Sequence, residues 1–128
     1  MEDKDFDIFK KLILSFGNVI VFNSFRKELT ECYGKKSHKA RKEVYDELII
    51  KFKKIIADKN IAYNSCDGFE FLTKTKEQNE KYPNLDIFRY EIRKYSNLRC
   101  LFIIDRESEY IYLLGAFIED DSKKKRKK

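Results

Sequence analysis

The chain has one histidine, one proline and three cysteines, and each scarcity narrows what it can be. Cys32, Cys66 and Cys100 are an odd number without metal-type spacing, which argues against a disulfide framework or a zinc site. They read as reduced thiols in a cytosolic protein. His38 lies among Lys35, Lys36 and Lys39 at a helix start and reads as a solvated surface residue rather than a catalytic one. No stretch approaches the roughly 18 apolar residues of a membrane span, so no membrane partner is expected. Met1 is followed by Glu2, Asp3, Lys4 and Asp5 instead of a basic and then apolar leader. No secretory signal is therefore expected, and the expected location is the cytoplasm.

What is present suffices for one folded domain. The 128 residues are 42% hydrophobic and include eleven phenylalanines and eight tyrosines, enough for a single core. The net charge of +6 is local in origin. Six of the 28 basic residues form the run KKKRKK at 123–128, and the 22 that remain balance the 22 acidic ones, so residues 1–122 are formally neutral. A basic tail attracts nucleic acid or other polyanions without sequence preference. A solvated, disordered terminus that aids solubility is the other reading.

Residues 3–16 place Phe6, Phe9, Leu12, Ile13 and Phe16 at helical spacing, with Asp3 and Asp5 near the start and Gly17 beyond the end. That predicts a short amphipathic helix. Its apolar face (Phe6, Phe9, Ile13) suits either an addition to the core or dimerisation, so the oligomeric state is open. Val19 to Phe22 reads as a strand. Ser24 can cap a helix over roughly 25–33, which Gly34 ends. Ser37 opens the longest predicted helix, about His38 to Asp58, with Val44, Leu48, Phe52, Ile55 and Ile56 on its buried face. Phe69 to Thr73 suggests a further strand. Thr75 to Asn84, polar and carrying Pro83, is expected to be an exposed loop.

The run from Ile87 to Phe117 predicts three consecutive strands with turns near Tyr95-Ser96-Asn97 and Arg106-Glu107-Ser108. In Phe88-Arg89-Tyr90-Glu91-Ile92-Arg93 the even positions are apolar and the odd ones charged, the period of a half-buried strand. Leu98 to Ile104 holds a single charge, Arg99. An ion so placed must be paired or face a functional surface. Glu91, Arg93 and Arg99 on adjacent strands therefore suggest a site for a phosphate-bearing ligand. Glu91 and Asp105 are the candidate partners should Arg99 be structural, since cross-strand ion pairs on an exposed face are ordinary. Helices gathered on one face of a small antiparallel sheet make the expected class α+β.

Three local motifs resemble the RelE/ParE superfamily of toxins, and in particular its HigB-like, phage-associated branch. Tyr90-Glu91-Ile92-Arg93 resembles the family's aromatic-Glu-Leu-Arg strand. Asn97-Leu98-Arg99, followed by Cys100-Leu101-Phe102, resembles its Asn-Ile-Arg turn and next strand. Leu113-Leu114-Gly115-Ala116-Phe117 resembles its last strand. The resemblance spans about residues 18–125, with specific motifs only in the final third. It implies a RelE-like domain over 1–122, with 1–17 as an N-terminal helix extension and 123–128 as a basic tail. It implies a type II toxin that is neutralised by a cognate antitoxin protein and cuts mRNA on the ribosome, as an endoribonuclease that needs no metal or cofactor. Arg99 then holds the scissile phosphate and Arg93 assists. Glu91 either acts as the base or holds an arginine in place. Lys94, Tyr95 (by stacking on a base) and Lys123, Lys124 and Lys125 contact RNA. Where the family carries a basic residue and then a tyrosine or histidine, this chain has Ile118-Glu119-Asp120-Asp121. That substitution favours the alternative, a catalytically silent member that binds a protein or RNA partner.

Overall fold

Helical spacing near the N-terminus becomes a helix whose buried residues are Phe6, Phe9 and Ile13, while Leu12 is left in solvent. The computed structural model describes residues 4–33, 37–92 and 97–119. The elements, in chain order, are α1 (Lys4–Ser15), β1 (Val19–Val21), α2 (Asn23–Tyr33), α3 (His38–Ala57), α4 (Asn60–Tyr63), β2 (Phe69–Leu72), α5 (Lys76–Lys81), β3 (Leu85–Glu91), β4 (Leu98–Asp105) and β5 (Ile111–Ile118). They form an α+β fold around one five-stranded sheet in the order β1-β5-β4-β3-β2. The last three strands are a meander, as three consecutive runs with two short turns predict, and β2 pairs antiparallel with β3. The sheet is mixed rather than wholly antiparallel, because β1 joins the β5 edge in parallel. Parallel pairing needs a long crossover, and here everything from α2 to β4 lies between the two strands.

One face of the sheet carries the core. Phe88, Tyr90, Cys100, Phe102, Ile104, Ile111 and Leu113 are buried with Phe25 and Leu29 of α2 and Val44, Leu48, Phe52 and Ile55 of α3. Period 2 puts the even residues of β3 and β4 on this face, so the odd ones point the other way. Two residues differ from the helix-face pattern: Tyr45 is buried and Ile56 only partly so. The Tyr45 ring packs on those of Phe9, at 5.2 Å, and Phe6, at 5.9 Å. The apolar face of α1 is thus spent inside the chain's own core.

Three helices depart from the sequence pattern, one of them the four-residue α4, which it does not predict. Ser37 caps α3 as expected, accepting from the Ala40 N–H at 3.2 Å. Ser24, by contrast, lies inside α2, and its hydroxyl donates to the Leu114 carbonyl. Part of the segment expected to be a loop, Thr75–Asn84, is the helix α5. A capping box makes it stable: Gln78 N–H donates to Thr75 Oγ1 at 3.1 Å, and Thr75 N–H donates to Gln78 Oε1 at 3.0 Å. Satisfying two otherwise orphaned donors reciprocally is what such a box does.

Between β4 and β5 the register shifts. Leu101 opposes Gly115 and Phe102 opposes Leu113, so Leu114 has no cross-strand partner. β1 ends before this point, and α2 takes over the edge. Ser24 occupies the Leu114 carbonyl, and Glu28 Oε1 accepts from the Ala116 N–H at 3.1 Å. A Cβ at position 115 would collide with that carboxylate oxygen, which explains the small residue between Leu114 and Ala116. Glu28→Ala is expected to cost about 1 kcal/mol by orphaning an edge N–H. Gly115→Ala is expected to cost about the same by displacing Glu28. The double variant should cost clearly less than the sum, since both act on one contact. Urea unfolding of the four proteins measures this.

Candidate functional site

The face opposite the helices holds the charged cluster. Glu91 and Arg99 stand directly across from each other on β3 and β4, and Glu70 of β2 stands across from Arg89 of β3. With Glu119, just past β5, they line a cleft of about 330 Å³ that also takes in Ser65, Gly68 and Phe69.

Each side chain is held by identifiable local structure. Gly68 adopts φ +90°, a conformation open to glycine at little steric cost, and its carbonyl accepts from the Glu91 N–H at 2.9 Å. A Cβ there would sit 3.0 Å from the Tyr90 ring. Tyr90 is buried, and its hydroxyl donates to Glu47 Oε2 of α3 at 2.5 Å. The residue before Glu91 is therefore tied to the helical layer. At the other end of β3, buried Asp86 accepts from the Tyr63 hydroxyl at 2.5 Å and pairs with Arg106 Nε at 3.1 Å. Burial, together with that hydrogen bond, pushes the Tyr63 hydroxyl above its ordinary pKa, so it stays a donor.

The ion pairs form one connected chain. Arg89 Nε donates to Glu70 Oε1 at 2.7 Å, and Arg89 Nη1 is 3.6 Å from Glu119 Oε1. Arg99 Nη2 lies 3.0 Å from Glu119 Oε2 and 3.9 Å from Glu91 Oε2. Arg99 is only 7% exposed, so it needs its pairing, because a buried lone charge is costly. Its nearest carboxylate among the described residues is Glu119. Of the two partners expected from sequence, Glu91 is the longer contact and Asp105 lies at the far end of β4, opposite Leu85. For Arg89, burial works against the charge but the pairs with Glu70 and Glu119 outweigh it, so the guanidinium is held above its ordinary pKa.

Of the residues expected at the site, the structure brings Arg99 and Glu91 together. Arg93, Lys94, Tyr95, Lys123, Lys124 and Lys125 lie outside the described residues. Arg89, Glu70 and Glu119 are the charged additions. Period 2 already places Arg89 on the face of Glu91, and Glu119 is the first of the acidic residues behind the last strand. His38 is a surface residue paired with Asp5 at 2.6 Å. Burial holds the Cys100 thiol well above its ordinary pKa, which makes it unreactive. Among the described residues no group of three or more His, Cys, Asp or Glu side chains is placed to hold a metal ion. No helix among them is long and apolar enough to cross a membrane.

No protein-family model matches the chain, and no curated protein matches it in sequence. Among solved structures, the crystal structure of the archaeal RelE-RelB complex from Pyrococcus horikoshii OT3 is similar. The TM-score is 0.47 and the identity 12%, over 78% of this chain and 91% of that one.

Proposed function

We propose that this chain is the toxin of a type II toxin-antitoxin system, of the HigB-like branch of the RelE/ParE superfamily. It acts in the cytoplasm as a metal-independent endoribonuclease that cuts mRNA on the ribosome and is neutralised by an antitoxin protein. The observation that carries this reading is the pair of arginines, Arg89 and Arg99, converging with Glu91 in one cleft on the sheet face away from the helices. The motifs around Glu91 and Arg99 point the same way.

The chemistry asks for little more. The ribose 2′-oxygen attacks the adjacent phosphorus and loses its proton to a base. The bond from phosphorus to the 5′-oxygen breaks, and that oxygen takes up a proton. The products are a cyclic 2′,3′-phosphate and a free 5′-hydroxyl. Charge builds on the non-bridging oxygens on the way, and guanidinium groups aimed at them lower the barrier. Arg99 suits this role because its planar fork can bind two oxygens at once. Glu91, half exposed beside Arg99, is the base.

A second reading has its own observation. Glu119 is bound to both arginines, which suits a scaffold that binds a partner without cutting RNA. Expression in a bacterial host separates the two. The toxin reading expects growth arrest and fragmented mRNA, relieved by co-expression of the antitoxin. A wild-type chain that neither slows growth nor cleaves mRNA would falsify it.

A further inference from the structure

The contact between Glu119 and the arginines has a form that an ordinary surface ion pair lacks. The Glu119 backbone N–H donates to the Asn97 carbonyl at 2.7 Å, which fixes the chain just beyond β5. The side chain, 14% exposed, then presents one oxygen to each guanidinium: Oε1 to Arg89 at 3.6 Å and Oε2 to Arg99 at 3.0 Å. Two oxygens on one atom, sharing one negative charge between two arginines, is also how a phosphodiester would sit there. Charge count points the same way. The described residues of the cleft include two arginines and three glutamates, so among these residues an incoming phosphate competes with a carboxylate already seated on each guanidinium. Glu70 and Glu91 are about half exposed, and each pairs with one of the two arginines. Glu119 is the one that touches both.

We propose that Glu119 is an internal occupant of the phosphate site. Its carboxylate stands between Arg89 and Arg99 where an RNA backbone phosphate binds, and the site stays closed until that carboxylate is displaced. This rests on the RNA-cleaving reading above, which it extends from substrate class to regulation.

The test uses the full chain and two probes, inorganic phosphate and a labelled single-stranded RNA. Phosphate is followed by amide NMR shifts and by the rise in Tm that ligand binding produces. Glu119→Gln is expected to bind phosphate at least about tenfold more tightly than wild type, because one carboxylate charge within contact distance has gone. Glu70→Gln removes the same charge but frees only Arg89, and is expected to gain less than about threefold by the same Coulomb argument. Adding Arg99→Gln to Glu119→Gln should abolish the gain. Equal gains in Glu119→Gln and Glu70→Gln, or no gain in Glu119→Gln, overturn the inference, because general electrostatics or nothing at all would then be acting. A gain for phosphate with none for RNA leaves Glu119 as the occupant and removes the RNA reading instead. Should Glu119→Gln prove unfolded by circular dichroism, Glu119→Asp is compared with Glu70→Asp, each keeping its charge but retracting it by one methylene: a larger gain in Glu119→Asp supports the inference, and equal gains or none overturn it.

Discussion

Arg99→Ala is expected to lower RNA cleavage by about 10²- to 10³-fold, the loss typical when one donor to developing transition-state charge is removed. Purified protein added to ribosomes carrying a short mRNA gives the rate, and growth on expression gives the biological readout. Arg99 faces the cleft from the middle of the sheet, with Glu91 opposite on β3 and Phe117 opposite on β5. It therefore has a rigid mount on both sides. Arg99→Lys keeps the charge but loses the two-oxygen fork, so it should recover only part of the rate. Because Arg99 is buried and paired with Glu119, the alanine variant also loses stability. Tm must be measured alongside, and a loss of rate in a chain that stays folded at the assay temperature is the result that counts. Equal toxicity of wild type and Arg99→Ala would remove Arg99 from the mechanism.

Phe102→Ala is expected to destabilise the fold by about 3–5 kcal/mol, the usual cost of truncating a buried phenylalanine. That is a large share of the roughly 5–15 kcal/mol that holds a domain together, so the variant should be partly or wholly unfolded near body temperature. The ring is fully buried. It stacks on Phe88 with centroids 5.2 Å apart and meets Phe52 edge-on at 5.0 Å and Phe69 at 5.8 Å. One side chain thereby joins β2, β3, β4 and α3. Phe117→Ala, on the same sheet but 38% exposed, is the control and should cost less than about 1 kcal/mol, as exposed positions generally do. Chemical unfolding of both variants decides the matter, and similar midpoints would mean that the core is centred elsewhere.

Much of this architecture was legible in the order of residues. The meander followed from three strand-like runs joined by two short turns, and α1 and α3 from apolar residues at three- and four-residue steps. Ser37 was recognisable as a cap because its role is local. Other features left a signal that a polar composition hid. The Thr75-x-x-Gln78 box is written in the sequence, yet a six-residue helix buries nothing, so periodicity is silent about it. α4, with four residues, is too short for any period. Ser24 misled for a different reason: its partner, Leu114, is ninety residues away.

The same division holds at the candidate site. Sequence by itself determined that Arg99 sits alone in an apolar strand and that Glu91 and Arg89 share a face, because side-chain direction in a strand depends only on parity. It also determined that acidic residues follow the last strand. Only the tertiary structure decided which charges meet. Register between β3 and β4 set Glu91 against Arg99. The path of the chain beyond β5 delivered Glu119 to both arginines, and β2 brought Glu70 to Arg89 from the other side. Ion pairing depends on distances of a few ångströms between segments far apart in the chain, and no local rule encodes such distances. Parity chose the face, and packing chose the partners.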